Sequence, residues 1–450
     1  MNQCSITAPD NEFDRITEHP HKEETTVSTA KHPGRRAFAS SAAVAALASQ
    51  FPRIAIGQDK TIRILATQDF TRVYTFVTAE YSQGQRDYVT LINERGGING
   101  HRIVLDVTDH GNDLPRAVES YERGKAQGMV MIDPLSTPIA RALVTRVLAD
   151  KINMITAFSG RSDAADGTVF PYIFPLSPNY WTQAGLLVEH FRQVDGGSLK
   201  GKKICFVHID TPFGKEPLPI FEALRQKLGF EFQAFPYTPP GNDQSAIWPQ
   251  VRRARPDWVV FWGAGVGQTV ALTEAIRNGI RMDRLSSSVW VSESDMDVVG
   301  RQQAKGVMKV DPCILGREAK PIQDILKTVV AAGKGAGPEA KVGTVYYSYG
   351  VMITALMLEG VRQAFVKAPN GPVNGAWLNA GLHLIKDFTA DGMIPATSIT
   401  SQDHQGGGKG RISQWDGSKF VPITDWYSAN QDVVWEEIKK YSSEFAKSGK

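Results

Sequence analysis

The feature that most constrains the fold is an alternation of short apolar strands and helical segments that occurs twice along the chain. The first run begins with a strand at 61–66 (TIRILA) and a helix at 81–95, and the second begins with a helix at 179–194. Such alternation is typical of a parallel sheet covered by helices on both faces. Between the runs, residues 170–178 contain three prolines and no periodicity. This segment is therefore expected to cross between two units.

The two runs predict two α/β sheets of similar size with a cleft between them. The other predicted strands are 101–108, 129–132, 153–156, 203–208, 231–237, 258–262 and 288–291, with a hairpin at 411–416 and 419–423. The other predicted helices are 113–124, 138–150, 214–228, 247–254, 266–278, 321–332, 343–363 and 433–446. Ligands bind such sheets at the carboxyl ends of the strands, so we expect a site in the cleft.

The first 57 residues are typical of an export signal. Residues 34–38 (GRRAF) are followed by an apolar run at 39–48 and by small residues at 55 and 57. A basic segment, a short apolar run and a small-residue cleavage site define a secretory signal, and the paired arginines resemble the bacterial twin-arginine type. The alternative is an Ala-rich helix with a chance arginine pair. If the signal is removed, the mature chain begins near Gln58 in an exported compartment.

Composition and motifs exclude several classes of protein. The chain has 450 residues, with 50 Lys and Arg against 47 Asp and Glu, a balance too even to indicate a nucleic-acid partner. It contains no GxSxG, HExxH or GxxxxGKS/T motif, and the glycine-rich stretch 263–267 lacks the third glycine of a dinucleotide loop. The nine histidines have no metal-ligand spacing, so no catalytic residue, metal site or cofactor is predicted. Cys205 and Cys313 are either buried thiols or a disulfide pair.

Small polar and aromatic residues follow several predicted strands. Residues 134–137 (PLST) begin a helix, where backbone N–H groups and two hydroxyls form a carboxylate site, although capping by Ser136 alone is equally compatible. Residues 157–160 (AFSG) form a second loop with hydrogen-bond donors. Aromatic rings near the strand ends either wall a small-molecule pocket or close the lobe cores; they are Tyr74, Phe76, Phe213 and Trp262.

Together these features resemble the leucine/isoleucine/valine-binding family of periplasmic solute-binding proteins, which serve ABC importers. The resemblance rests on the export signal and on GGING at 96–100, PLST at 134–137, DTPFG at 210–214 and PDW at 256–258. It implies a type I periplasmic binding fold, with two Rossmann-like lobes, parallel central sheets, three interlobe crossings and hinge closure on a solute. It also implies the lobe boundaries, which are 58–178 plus 311–400 for the first lobe and 179–310 plus 401–450 for the second.

The resemblance assigns binding roles to particular residues. Ser136 and Thr137 would hold the solute carboxylate, together with groups from Ala157 and Ser159. On the second lobe, Phe213 would be an aromatic lid residue. The opposite wall would be lined by Trp262 or Gly263.

Two further positions bear on specificity. Glu293 falls where amino-acid binders place a carboxylate for the ligand ammonium, although the neighbouring residues 294–295 allow a register shift of one or two. The first loop departs from the family pattern, because residues 67–74 read TQDFTRVY instead of a Gly/Ser-rich stretch ending in Gly-Pro. Arg72 or the rings of Tyr74 and Phe76 would then serve a different solute, such as an aromatic carboxylate.

The expected function is that of a periplasmic substrate-binding component of an ABC transporter. It would bind a small carboxylate-bearing solute, such as a branched-chain amino acid, and deliver it to an inner-membrane permease. We expect a monomer without a cofactor and without a catalytic step. The alternatives are a ligand-sensing subunit for a receptor, a binder of aromatic or aliphatic carboxylates, and an exported hydrolase or oxidoreductase.

Overall fold

The computed structural model describes residues 60–448. The predicted export signal at 1–57 lies outside these residues and stays a prediction. Within the described part of the chain, no helix is long and apolar enough to cross a membrane.

The first sheet is parallel, with five strands in the order β2-β1-β3-β4-β5. Its strands and intervening helices are β1 (Thr61–Gln68), α1 (Thr75–Glu94), β2 (Arg102–Asp109), α2 (Leu114–Ala126), β3 (Met129–Asp133), α3 (Thr137–Asp150), β4 (Asn153–Ile155) and β5 (Ile173–Phe174). All five residues of β3 are buried, as expected for a central strand that helices cover on both faces.

The second sheet has seven strands in the order β12-β11-β10-β9-β8-β6-β7. The remaining elements are α4 (Tyr180–Val194), β6 (Lys203–Ile209), α5 (Pro212–Lys215), α6 (Leu218–Leu228), β7 (Glu231–Tyr237), α7 (Trp248–Ala254), β8 (Trp258–Trp262), α8 (Val266–Arg277), β9 (Leu285–Ser287), α9 (Glu293–Val299), β10 (Met308–Asp311), α10 (Lys320–Ile325), α11 (Val345–Lys367), α12 (Gly375–Leu382), β11 (Arg411–Trp415), β12 (Phe420–Pro422) and α13 (Gln431–Ser448). The strands β6 to β10 are parallel, and β11 and β12 add an antiparallel hairpin at one edge.

The chain passes three times between the sheets, as predicted. It leaves the first sheet after β5 and builds the second from β6 to β10. It then returns, because α10 and α11 pack on α1, and α12 packs against β3 and β4. A last passage leads from α12 to the hairpin of β11 and β12. We call the first sheet with α1–α3 and α10–α12 the first lobe, and the second sheet with its helices the second lobe; the predicted residue bounds of the lobes stay a prediction.

A close helix crossing fixes the start of α1, which carries part of the site. A Cβ atom on Gly84 of α1 would lie 2.2 Å from the carbonyl oxygen of Tyr347, and one on Gly350 of α11 would lie 2.1 Å from that of Tyr81. Only glycine permits the two backbones to approach so closely. The packing therefore anchors α1 on α11.

Of the elements that differ from the prediction, two do so for identifiable reasons. Helix α1 begins at Thr75 rather than at residue 81, because the Asp69 carboxylate accepts the N–H groups of residues 72–74 at 2.7–2.9 Å and orders the preceding loop. The strand predicted at 288–291 is wrong: β9 lies at Leu285–Ser287. The serines of β9 make its sequence less apolar than a typical buried strand. In the folded sheet β8 provides a partner, because the Ser287 hydroxyl donates to the carbonyl of Phe261 at 2.9 Å.

Candidate functional site

The loop between β3 and α3 places two hydroxyls at the carboxyl edge of the first sheet. Ser136 caps α3, with its Oγ atom 3.5 Å from the Ile139 nitrogen, and it donates to Asn112 Oδ1 at 2.8 Å. Thr137 Oγ1 accepts the Gly160 N–H at 3.3 Å. Both side chains also line a cavity. The capping role and the cavity role of Ser136 therefore coexist.

A third hydroxyl comes from the loop after β4. Ser159 is 9% exposed and lines the same cavity. Its Oγ atom has no hydrogen-bond partner among the described residues. A buried hydroxyl without a partner costs about 1–3 kcal/mol, which a solute that hydrogen-bonds to it would recover.

The cavity is small and largely aromatic. Its free volume in this structure is about 20 Å³, which is room for about one water molecule, so a larger solute requires its walls to move apart. Its lining residues are Tyr74, Phe76, Val77, Leu135, Ser136, Thr137, Phe158, Ser159, Tyr180, Phe213, Ala264 and Trp290. Both lobes contribute to it, so a solute in the cavity contacts both at once.

Hydrogen bonds and ring contacts hold the aromatic walls in place. Trp290 Nε1 donates to the Tyr180 hydroxyl at 2.7 Å, and that hydroxyl donates to the carbonyl of Phe158. Phe158 and Trp290 meet edge to face with ring centroids 5.6 Å apart, and Tyr180 and Phe213 do so at 5.3 Å. The polar atoms of the walls are thus satisfied by each other, and ring surface faces the cavity.

Two lining residues have left-handed backbones. Leu135 has φ of 35° and Phe158 has φ of 57°, a region that residues other than glycine, Asn and Asp seldom adopt. The Asp133 carboxylate holds the first by accepting the Leu135 N–H at 3.2 Å. The Tyr180 hydroxyl holds the second through the Phe158 carbonyl. Strain kept by specific partners in a cavity wall is typical of a functional site.

None of the described residues that line the cavity carries a charge. The nearest carboxylate in sequence, Asp133, is 1% exposed, and burial raises its pKa to about 6. It accepts hydrogen bonds from the Tyr81 hydroxyl at 3.0 Å and from Gln85 Nε2 at 2.8 Å. Asp133 therefore positions the loop rather than contacting a solute.

Six of the ten residues predicted for the site line this cavity. They are Tyr74, Phe76, Ser136, Thr137, Ser159 and Phe213. The other four are Ala157, Trp262, Gly263 and Glu293. Ala157 and Gly263 each precede a residue that does line the cavity, and Trp262 lies behind Tyr180 with ring centroids 5.5 Å apart. Binding by all ten residues stays a prediction.

Glu293 has a different position from the one expected of an ammonium partner. It is the first residue of α9, and its carboxylate accepts the Val345 N–H at 3.3 Å, at the start of α11. Burial raises its pKa. Glu293 is therefore not among the residues that line the cavity. Arg72 is exposed and does not line the cavity either.

Sequence reasoning missed half of the lining. The missed residues are Val77, Leu135, Phe158, Tyr180, Ala264 and Trp290. Trp290 was hidden in the wrongly predicted strand at 288–291, and Tyr180 was placed in a helix without a role. Phe158 carried a usable signal, because it stands between two residues that were assigned to the site.

An ion pair joins the lobes beside the cavity. Arg141 of α3 pairs with Glu216, which follows α5 and has a side chain 2% exposed. The other carboxylate oxygen of Glu216 accepts the Ser162 N–H at 2.7 Å. Because Phe213 lies on α5, these bonds hold Phe213 against the first lobe.

Neither a disulfide nor a metal cluster occurs in the described part of the chain. Cys205 and Cys313 are free and buried, which answers the question that the sequence left open. Across residues 60–448, no group of three or more His, Cys, Asp or Glu is placed to hold a metal ion.

Comparisons with known proteins agree with this architecture. The profile of the family described as periplasmic binding protein matches residues 61–419. A solved structure described as an ABC transporter permease from the Pseudomonas fluorescens group is 32% identical, with a TM-score of 0.80 over 86% of this chain and 97% of that one. A branched-chain amino acid ABC transporter from Thermus thermophilus with bound valine is 18% identical, with a TM-score of 0.73 over 84% and 99% of the two chains.

A curated relative gives the same result at lower coverage. Leu/Ile/Val-binding protein homolog 3 of Brucella melitensis biotype 1 is 22% identical over 232 residues, or 51% of this chain. The match spans 61% of that relative's length. The resemblance inferred from the sequence is confirmed: the chain belongs to the periplasmic binding protein family and has its type I fold.

Proposed function

We propose that this protein is the solute-binding component of an ABC importer and that it binds a small apolar carboxylate without an amine, such as an arylacetate or a branched alkanoate. The observation that carries the proposal is an uncharged, aromatic cavity with three hydroxyls at one helix end. Members of the family are substrate-binding proteins of ABC transporters, which supports the transport role. In this proposal the protein acts in the periplasm as a monomer, without a cofactor or a catalytic step, and delivers the solute to an inner-membrane permease.

The hydroxyls and the start of α3 would bind the carboxylate. Of the first N–H groups of α3, Pro138 has none and that of Ile139 bonds to the Ser136 side chain, so Thr137 would offer its N–H; the helix dipole favours an anion there by typically 0.3–1 kcal/mol. Ser136 and Thr137 are 2% exposed and lie at this end of the 14-residue helix. Ser159 adds a buried donor that the protein itself leaves without a partner. Hydrogen bonds to a charged group at such a site contribute about 1.5–3 kcal/mol each.

The aromatic walls would bind the apolar body of the solute. Phe213, Tyr180 and Trp290 come from the second lobe, and the hydroxyls come from the first. A solute that touches both lobes binds the closed form more tightly than the open form and so shifts the population toward closure. Recognition by the permease would then depend on the closed form.

A branched-chain amino acid is the second candidate, favoured by the valine bound to the Thermus relative. An amino acid brings an ammonium group that needs an acceptor when it is buried. Carbonyl oxygens and ring faces are what the cavity offers, and a cation over a ring gains about 0.5–2 kcal/mol. The absence of a carboxylate among the lining residues makes the amine-free acid the better fit.

Matched acids that differ only in the amine separate the two candidates. The chain from residue 58, refolded to remove carried-over solute, is titrated in a calorimeter with 4-methylpentanoate against leucine, and with phenylpropanoate against phenylalanine. We expect the amine-free acid of at least one pair to bind ten or more times as tightly. Tighter binding of the amino acids would favour the second candidate, and a lack of binding by all four would contradict the proposal.

A further inference from the structure

A second, larger space adjoins the cavity on its outer side. This outer groove is lined by Phe70, Thr75, Phe76, Ala79, Glu80, Ser82, Gln83, Arg86, Gly265, Val266, Thr269, Ser294, Asp295, Val298, Ala336, Gly337, Pro338 and Lys341. Residues of both lobes form it, as they form the cavity. The ring of Phe76 belongs to the lining of both spaces.

Phe76 and the backbone at Gly265 form the wall between the two spaces. Ala264 lines the cavity and Gly265 lines the groove, so the wall is one residue thick on the second lobe. A Cβ atom on Gly265 would lie 3.2 Å from the Val73 carbonyl oxygen and 3.8 Å from Phe76 Cδ1. The lobes therefore meet here at van der Waals distance, and the ring of Phe76 lies between the two spaces.

The Phe76 ring is held in this position. It packs edge to face on Tyr346 of α11, with ring centroids 5.9 Å apart. Tyr346 is fully buried, and its hydroxyl donates to the Trp290 carbonyl at 3.3 Å. The wall thus includes a side chain with a fixed neighbour.

The groove has the chemistry of a site for an apolar chain near solvent. Val266 is 49% exposed and Val298 is 72% exposed, and both line it. Its charged side chains are Glu80, Arg86, Asp295 and Lys341. Glu80 and Lys341 pair with each other at 2.6 Å, and the buried Asp295 carboxylate accepts the Gln268 amide at 2.8 Å. Exposed apolar side chains beside a closed apolar cavity favour an occupant that extends from one space into the other.

We propose that the outer groove is a second subsite for the apolar tail of a longer carboxylate, and that Phe76 sets the length of solute that the protein accepts. The inference rests on the proposed function, since the carboxylate of the same solute would lie at the start of α3. With phenylalanine at this position the two spaces stay separate, so short acids bind more tightly than long ones. A smaller side chain would connect the two spaces and admit the tail.

A series of ω-phenylalkanoates, from phenylacetate to 6-phenylhexanoate, tests this inference by calorimetry. For the wild type, we expect the Kd to rise at least tenfold from the shortest to the longest acid. For Phe76→Ala, we expect the ratio of the Kd of the longest acid to that of the shortest acid to be at least tenfold lower than in the wild type. Phe76→Leu should have a ratio between the two. Phe213→Ala is the matched control, because Phe213 lines the cavity and not the groove; it should weaken all acids by a similar factor.

A blocking variant locates the tail. Val266→Trp, added to Phe76→Ala, fills the groove and should return the ratio toward the wild-type value. An unchanged ratio in Phe76→Ala and Phe76→Leu, or wild-type binding that does not depend on length, would overturn the inference. Binding of phenylacetate by the wild type tests the proposed function separately, because that acid needs only the cavity. Circular dichroism of each variant checks that it folds.

Discussion

Two serine hydroxyls line the cavity, and they differ in what else they hold. Ser136 caps α3 and bonds to Asn112, whereas Ser159 has no partner in the described chain. We therefore expect Ser159→Ala to weaken carboxylate binding by about 1–3 kcal/mol and to raise rather than lower the free energy of unfolding, because it removes an unpartnered buried hydroxyl. Titration calorimetry and urea unfolding measure the two quantities.

The matched variant Ser136→Ala should lower both the affinity for the carboxylate and the free energy of unfolding. It removes a helix cap, which costs about 1 kcal/mol of stability, and it also removes a hydroxyl whose single proton would turn from Asn112 to the solute. A Ser159→Ala protein with unchanged affinity, or with stability lowered as in Ser136→Ala, would contradict the assignment of Ser159 as a solute contact.

Glu293 provides the test of an ammonium site at the residue scale. Its carboxylate accepts the Val345 N–H and does not line the cavity. Glu293→Gln keeps an acceptor oxygen, so we expect the Kd of leucine and of 4-methylpentanoate each to change by less than about twofold. A selective loss of leucine binding by tenfold or more would restore Glu293 as the ammonium partner.

At the scale of elements, the contact between α3 and α5 holds the lobes together beside the cavity. The Arg141–Glu216 pair is buried on the Glu216 side, but the Arg141 side chain is 42% exposed, which screens the interaction. We expect Glu216→Gln to destabilise the closed form by about 1 kcal/mol, or roughly a fivefold rise in Kd. Calorimetry measures the affinity, and small-angle scattering measures the fraction of open protein.

Glu189→Gln is a suitable control, because Glu189 pairs with Arg192 within α4 at 2.8 Å and not across the lobes. It should leave the Kd unchanged. Equal effects of the two variants would show that Glu216 acts through general charge rather than through the contact between α3 and α5.

The elements also show what the sequence could and could not predict. The strands at 231–237 and 258–262 were predicted with their observed bounds, because the first alternates polar and apolar residues, the second is continuously apolar, and both end at clear breaks. Strand β9 was misplaced, since its serines are satisfied by β8 and only the folded sheet provides those carbonyls. The hydroxyls at 136, 137 and 159 were predicted from local loop chemistry. Tyr180 and Trp290 reach the cavity through tertiary packing, which no local pattern encodes.

At the scale of the whole molecule, buried neutral histidines make stability depend on pH. Burial lowers the pKa of His190 to about 4 and that of His404 to about 3, and it also lowers the pKa values of His110, His208 and His383. Below about pH 6.5 the unfolded chain binds protons that these folded groups do not. Their contribution to stability is therefore complete above pH 6.5 and is lost as the pH falls.

Two variants isolate single groups whose contributions to the free energy of unfolding change with pH in opposite directions. His190 packs on Trp258, so His190→Phe keeps an aromatic ring but cannot titrate. Relative to this variant, the wild type should lose up to roughly 3 kcal/mol of unfolding free energy as the pH falls from 6.5 to 4.

Asp133, whose pKa is raised, stabilises the fold most at low pH. Relative to Asp133→Asn, the wild type should lose stability as the pH rises from 4 to 6. Urea unfolding at several pH values measures both slopes, and slopes of the reverse sign would contradict the burial of these groups.

The central claim is that the solute carboxylate lies at the start of α3, among three hydroxyls. A crystal structure of the protein with its tightest-binding carboxylate tests this most directly. The account predicts a carboxylate oxygen about 2.5–2.8 Å from Ser159 Oγ, with the other oxygen bonded at Ser136 or Thr137 and the apolar body between Phe213 and Trp290. A carboxylate bound at another place, or a solute lying outside the cavity, would contradict it.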